Sequence, residues 1–373
     1  MTQANAMVQP SGKTKIIKLQ RDSEGQITEI TEKAVVHTAA QVGYNLFEQI
    51  RYIEANGRRH RIPLSEALLL PDAGNIFKQD IRKVAFDAFN ANPRTFEGFT
   101  NIVDSNLPQE EYLRDAAIGV LPKAPSGTPA PDLISDFEGG TIIVNDLYRG
   151  IVKILGDWIK FDKINKIAQI AAEMGLSGRM TEENAVYSYI TTTGNYNRGS
   201  ATDDNDVGAN QQTLTWNADT LREALAIIAT SKDRKSGAYL GYNADTIIIG
   251  PRLQVPVIQL LRSVELSRVH GNTTSEAIGT GAVNPLAGAL STIIVSPWFG
   301  TSFQWAICDS KRNTFKYQQV EGFNVFQQTQ NVASESWLHL DVLEYLIRGH
   351  FGVGFVDDRA WFYSDSTTDA TVS

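Results

Sequence analysis

Residues 162–194, DKINKIAQIAAEMGLSGRMTEENAVYSYITTTG, make the longest helix-like run in the chain and limit what the remainder can fold into. Ile164, Ile167, Ala171 and Met174, then Ala185, Val186 and Ile190, recur at spacings of three and four, the signature of one helix face. Lys163, Lys166, Glu173, Arg179, Glu182 and Glu183 supply the polar positions. Asp162 suits the start, because a carboxylate there accepts from unpaired amides and favours the positive helix end. Gly194 suits the stop. Unbroken, such a rod reaches about 50 Å at about 1.5 Å per residue, which makes it a scaffold rather than a reaction centre. Gly175 and Gly178 are its weak point. Each costs roughly 1 kcal/mol against alanine inside a helix, so GLSG is expected to bend the rod or divide it, with a second helix starting near Thr181.

The chain has 373 residues, room for two or three domains, with an ordinary hydrophobic share of 42%. Its one cysteine, Cys308, allows no intrachain disulfide and fits a reducing compartment. The first residues carry no apolar signal-peptide region, and no stretch of about eighteen apolar residues offers a membrane span, so a cytoplasmic, membrane-free protein is expected. The formal charge of −8 argues against a conventional basic nucleic-acid binder. Local asymmetry remains: Lys13, Lys15, Lys18 and Arg21 stand in an acid-free segment, and Arg58, Arg59, His60 and Arg61 form a second basic knot. Both read as solvated segments that could also face a polyanion.

Residues 1–30 read as a mobile arm, residues 32–54 as an amphipathic helix ended by the RRHRIP turn, and residues 76–89 as another helix. Prolines at 93, 108, 122, 125, 129 and 131 punctuate the next segment, whose centre, LPKAPSGTPAPD, suits an exposed loop tip. Residues 141–144 and 150–161 have strand chemistry, which gives a protruding hairpin feeding the long helix. The polar stretch 195–212 reads as a loop; Asp203, Asp204 and Asp206 fail the register of an EF-hand calcium site.

A second folding unit begins near Thr213. Thr220 and Glu223 have capping-box spacing for a helix over 221–230, residues 244–249 read as a buried strand, 253–261 as a helix with Pro256 in its first turn, and 291–295 as another strand. Residues 315–363 are mostly strand-like, with turns at Gly322, Gly349, Gly352 and Gly354. No hydrolase elbow, phosphate loop or zinc-binding helix occurs, Cys308 has no histidine beside it in sequence, and the histidines show no ligand spacing. No catalytic residue, cofactor site or metal site is expected.

The phrases GIVKILGDWIKFDK, then the long helix with its EENA, then NADTIIIGPRLQVP, VNPLAGALSTIIVSPWF and WLHLDVLEYLIRGHFGVGFVDDRAWFYSD occur in one order. In that order they resemble the HK97-fold major capsid proteins of tailed phages, and the phrases at 250–256 and 284–299 resemble Mu-like major head subunits. The resemblance implies an α+β HK97-like capsid fold: an N-terminal arm and helices (1–109), an extended E-loop hairpin (110–160), a peripheral domain with its spine helix and exit loop (161–212), an α/β axial domain (213–317), peripheral return strands (318–366) and a tail (367–373). It also implies a subunit that self-assembles as pentamers and hexamers into an icosahedral virion shell around non-specifically held double-stranded DNA. Its expected partners are a separate scaffolding protein, a portal and a decoration protein, with assembly in the host cytoplasm.

Under the resemblance, Pro122, Lys123, Pro125, Pro129 and Pro131 lie at an E-loop tip that touches a neighbouring subunit, and Lys13, Lys15, Lys18, Arg21, Arg58, Arg59 and Arg61 are candidates for the inner surface. Shells of this kind change shape as they mature, which gives a bend at Gly175 and Gly178 a use. Some cross-link themselves through a lysine, an asparagine and a carboxylate; here Arg348 and Gly349 fall where that carboxylate belongs, so cross-linking is not expected. The alternatives are an encapsulin-type shell with protein cargo and a cytoplasmic α/β enzyme.

Overall fold

The computed structural model describes residues 13–21, 27–36, 52–55, 58–61, 73–115, 121, 123, 137–161, 163–196, 209–233, 236–263, 284–299, 303–312, 314–327 and 342–367. In chain order the strands and helices begin with β1 (Lys13–Arg21), β2 (Ile27–Val36), β3 (Tyr52–Ala55), β4 (Arg58–Arg61) and α1 (Ala73–Ala91). Then come β5 (Asn101–Asp104), β6 (Gln109–Asp115), β7 (Phe137–Val144), β8 (Asp146–Leu155), α2 (Gly156–Lys160) and α3 (Ile164–Thr191). They continue with β9 (Gln211–Gln212), α4 (Ala218–Ala229), β10 (Thr246–Ile249), α5 (Gln254–Arg262), β11 (Thr292–Val295), β12 (Trp305–Cys308), β13 (Phe315–Gln327), β14 (Val342–Phe355) and β15 (Trp361–Ser364). The architecture is mixed α+β.

The chain divides into two compact units and crosses between them repeatedly: the first holds Met1–Pro93, Tyr148–Met180 and Phe323–Gly349, the second Arg94–Leu147, Thr181–Gly322 and His350–Ser373. In the first unit, α1 places Ile81, Ala85 and Phe89 four residues apart on one face, and α3 places Ile167, Ile170, Ala171 and Met174 likewise. Both faces are buried against alternate residues of the strands: Ile154 of β8, Phe323 and Val325 of β13, Leu343 and Tyr345 of β14. Phe89 stacks on Phe323 at 4.7 Å, and Phe86 meets the same ring edge-on at 5.6 Å. The strands β13, β14 and β8 are neighbours in a sheet of order β5-β13-β14-β8, in which β5 runs parallel to β13.

The second unit is organised by a five-stranded sheet of order β11-β10-β12-β15-β9, with β10 parallel to β11 and antiparallel to β12. All four residues of β10 are buried, which suits its unbroken TIII run: a strand covered on both faces has no place for polar alternation. Leu221, Ala224, Ile227 and Ile228 of α4 and Val257 and Leu261 of α5 cover one face together with Trp305, Ile307 and Phe362. Trp216 meets Trp305 edge-on at 5.2 Å, and the Trp305 indole N–H donates to the Leu214 carbonyl at 3.1 Å. A second aromatic cluster joins Phe99, Tyr187, Tyr189, Phe315, Phe355 and Trp361.

Several sequence expectations are corrected. The arm contains an antiparallel pair, β1 with β2, and the helix expected over 32–54 is contradicted at its ends, where Glu32–Val36 belong to β2 and Tyr52–Ala55 to β3; residues 37–51 lie outside the described residues. β-Branched and threonine-rich content in ITEITEKAVV favours the strand over the amphipathic period. The strand expected over 150–161 stops at Leu155, because Gly156 opens the short helix α2. The cap of α4 is Asn217, whose side-chain Oδ1 accepts from the backbone amides of Asp219 and Thr220 while the Thr220 hydroxyl accepts from the Asn217 backbone amide. Thr220 is therefore the third residue of the helix, not its cap. Gly322, Gly349, Gly352 and Gly354 lie inside β13 and β14, not in turns.

The long helix spans Ile164–Thr191 without interruption, so the division near Thr181 does not occur. Of the polar positions assigned to it, Lys163, Lys166 and Glu173 are exposed, whereas Arg179, Glu182 and Glu183 are buried.

Candidate functional site

Gly175 and Gly178 sit inside α3, where they are contact surfaces. A Cβ placed on Gly175 would lie 2.0 Å from the Ala85 carbonyl oxygen and 2.9 Å from the Phe89 amide, so the missing side chain is what allows α1 to lie this close. A Cβ on Gly178 would lie 2.2 Å from the Phe323 ring. Nearby, the Arg179 guanidinium stands 3.9 Å over the Phe89 ring and donates to the Phe89 carbonyl at 3.3 Å.

The antiparallel hairpin β6–β7 is two-faced in the second unit. On one face Ile143 is buried, under Gly354, where a Cβ would meet its side chain at 2.8 Å. On that face Tyr112 is held too: its hydroxyl accepts from the Gln318 amide at 2.6 Å and donates to Glu110 at 2.9 Å, and the Lys316 ammonium lies 3.9 Å over its ring. The root is pinned by Asn145, whose side-chain amide donates to the Leu107 carbonyl at 2.7 Å, and the other end of the ladder by Arg114, which pairs with Gly139 and lies 3.9 Å from the carboxylates of Asp357 and Asp358. Opposite Ile143 the alternation leaves Leu113, Ile142 and Val144 51%, 56% and 52% exposed, with Leu107 and Leu147 exposed beside them. A two-stranded hairpin with one apolar face in water is a surface awaiting a partner.

Of the proposed loop-tip residues, Lys123 is exposed; Pro122, Pro125, Pro129 and Pro131 lie outside the described residues. Lys13, Lys15, Lys18 and Arg21 lie on β1, and Arg58, Arg59 and Arg61 on β4, which pairs with β3 in the register Ala55↔Arg58 to Tyr52↔Arg61.

Sequence reasoning missed a buried polar network in the second unit. Arg94 grips Glu182 through two nitrogens, each at 3.0 Å, and shares one of them with the Gln319 side-chain oxygen at 3.0 Å. The Tyr317 hydroxyl donates to the same carboxylate at 2.9 Å. Burial pulls the Arg94 pKa down, but the hydrogen bond and charge of Glu182 outweigh it and leave the pKa above its ordinary value. Beside it Glu183 accepts from the Thr95 amide at 2.7 Å and from the Thr95 hydroxyl, which also meets the Tyr187 hydroxyl at 2.6 Å. The readable signal was two consecutive glutamates in a stretch otherwise dense in apolar residues. A second pair, Arg359 with Asp357 at 2.8 Å, is also buried, and Tyr242 donates to Asp357 at 2.6 Å. Cys308 is fully buried in β12, where burial first, and the charges of Asp245 and Asp309 next, push its thiol pKa well up. Such a thiol is a packing group, not a nucleophile. Among the described residues no three acidic, histidine or cysteine side chains gather as a metal site, and no helix is long and apolar enough to cross a membrane.

The profile of a family described as phage capsid protein matches residues 148–364, more than half of the chain. The chain belongs to this capsid protein family. The matched span of the capsid protein runs from β8 through all of α3 to the last residue of β15. Among solved structures the capsid protein is similar to a virus-like particle from Pyrococcus furiosus, with 12% identity over 78% of this chain and 99% of that chain and a TM-score of 0.46. It is also similar to the procapsid of bacteriophage JBD30 (14% identity, 80% of this chain and 77% of that chain, TM-score 0.41) and to the capsid of an empty GTA particle (10%, 74% and 90%, 0.49). The comparison with curated proteins gives no match. In a capsid protein the functional surface is the set of contacts between copies, and the open hairpin face is the first candidate for one.

Proposed function

We propose that this capsid protein is the major, shell-forming subunit of a tailed-phage head, of the HK97 type and Mu-like in its subfamily. The one-sided hairpin carries the reading. One face of β6–β7 is fixed to its own subunit, while Leu113, Ile142 and Val144 face water, and a neighbouring copy is the partner that a closed shell supplies. In this reading 110–160 is the E-loop, 161–212 the peripheral spine and exit loop, 213–317 the axial domain and 318–366 the peripheral return. Pentamers and hexamers build an icosahedral shell, assembled in the host cytoplasm around double-stranded DNA, with a scaffolding protein, a portal and a decoration protein as partners. Lys123 reaches a neighbour without a covalent cross-link.

Electron microscopy of the purified chain, alone and with its scaffolding protein, tests the reading. Closed particles of uniform size are expected. A chain that stays monomeric under both conditions overturns it, and shells that enclose a protein cargo in place of DNA favour the encapsulin alternative.

A further inference from the structure

The chain passes between its two units at 93/94, 147/148, 180/181, 322/323 and 349/350. On the second unit's side these crossings are tied to one another by side chains. Arg94 is the first residue after one crossing, Glu182 the second residue after another, and Gln319 lies three residues before a third. One guanidinium holds all three: it is bidentate on Glu182 and shares a nitrogen with Gln319, each contact at 3.0 Å. It also lies 5.2 Å from the Tyr317 ring centroid and 5.8 Å from that of Phe96. The remaining crossings are joined by His350, whose Nε2 stands 3.2 Å from the Asn145 carbonyl oxygen. Close packing reinforces that second tie, since a Cβ on Gly352 would lie 2.4 Å from the Val144 carbonyl oxygen.

We propose that Arg94 is a positioning residue for shell assembly, which holds three segments of the second unit, at 94, 182 and 317–319, in one fixed constellation, so that this unit presents the same surface in every copy. This rests on the shell-forming reading. The chemistry favours a geometric role over a purely stabilising one. The Arg94 and Glu182 side chains are only 15% and 4% exposed, and a buried ion pair adds little net stability over apolar groups of the same shape. What the planar fork does supply is direction: two parallel bonds to a carboxylate fix the orientation of both partners, and lysine at that position would keep the charge and lose the fork. The neighbouring Glu183, Thr95 and Tyr187 contacts hold the same two chain segments, so residue 94 cannot drift along α3.

The test compares Arg94→Lys and Arg94→Met with Ile247→Val, a core change in β10 away from the network, at a temperature where all are folded. Hydrogen exchange is read over 94–100 and 315–322, and particle uniformity by electron microscopy. Both Arg94 variants are expected to exchange about tenfold faster or more in both segments, because a charged hydrogen-bonded group is lost or misdirected. They should also give irregular or open particles, while Ile247→Val gives uniform ones. Uniform particles from Arg94→Met, or the same irregularity from Ile247→Val at equal thermal stability, overturn the proposal. If Arg94→Met does not fold, Gln319→Leu, which frees one segment only, is expected to show faster exchange over 315–322 and a broadened size distribution; uniform particles there overturn it equally. Wild-type protein that forms no particle refutes the shell reading instead, and is separable because the exchange comparison is made on unassembled subunits.

Discussion

Gly175→Ala separates two meanings of a glycine inside a long helix. If Gly175 were a point of weakness and nothing more, alanine would stabilise α3 by about 1 kcal/mol, its ordinary advantage in a helix interior. The structure requires the opposite sign. The added methyl would stand 2.0 Å from the Ala85 carbonyl oxygen and 2.9 Å from the Phe89 amide, and both are backbone atoms of α1 that cannot rotate away. Relief needs α1 to retreat by about 1 Å or more, loosening Ile81, Ala85 and Phe89 from the core they share with α3. Overpacking of this kind costs roughly 1–3 kcal/mol, and contact with backbone places it at the upper end. After the helix advantage is subtracted, a net loss of about 2 kcal/mol is expected, a factor of roughly thirty in the folding equilibrium. Urea unfolding of the unassembled subunit measures it, with hydrogen exchange over α1 to localise it. Gly178→Ala should cost less, because its obstacle is a side chain, the Phe323 ring, and not backbone. A Gly175→Ala subunit more stable than wild type would refute the close-approach argument and return Gly175 and Gly178 to the role of a bend.

Three further outcomes are expected. Gly352→Ala puts a methyl 2.4 Å from the Val144 carbonyl oxygen and 2.6 Å from the Asn145 side-chain oxygen, so exchange over 140–145 should accelerate and particle yield should fall; unchanged exchange there would contradict the pinned root. Burial pushes the Asp80 carboxyl up to about 7 from 3.8, against the pull of Lys83. Only the unfolded chain ionises between those values, so stability should fall as pH rises through that window, and Asp80→Asn should remove the slope with a gain on the order of 2–4 kcal/mol at pH 8; a variant with the wild-type pH profile would contradict it. Neutralising Lys13, Lys15, Lys18, Arg21, Arg58, Arg59 and Arg61 together should weaken genome retention or scaffold docking without unfolding the subunit, and packaging at the wild-type level would remove these residues from the inner surface.

Elements with a strong local signal were legible in the sequence. The long helix, the helix at 73–91 and the buried TIII strand all stand close to where periodicity and punctuation put them. What failed depended on long-range partners. Glu182 and Glu183 look like solvent positions on a helical wheel and are buried because Arg94 and Thr95, 88 residues earlier, meet them. Gly352 and Gly354 look like turn residues and are strand residues overlain by 143–145. The strand Trp305–Cys308 was passed over because four residues buried on every side carry no alternation. The hairpin's open face follows from the register of β6 on β7, which its sequence alone does not set.

The strand order β11-β10-β12-β15-β9 has a consequence during synthesis. β15 lies at Trp361–Ser364, yet it occupies the place between β12 and β9, whose residues leave the ribosome much earlier. At about 5–20 residues per second, β12 spends several seconds with one edge unpaired. A chain interrupted before residue 361 leaves that edge open for good, together with the place of Phe362 in the core. Translation itself thus acts as a checkpoint: a subunit can offer its finished surface to a growing lattice only after β15 has arrived.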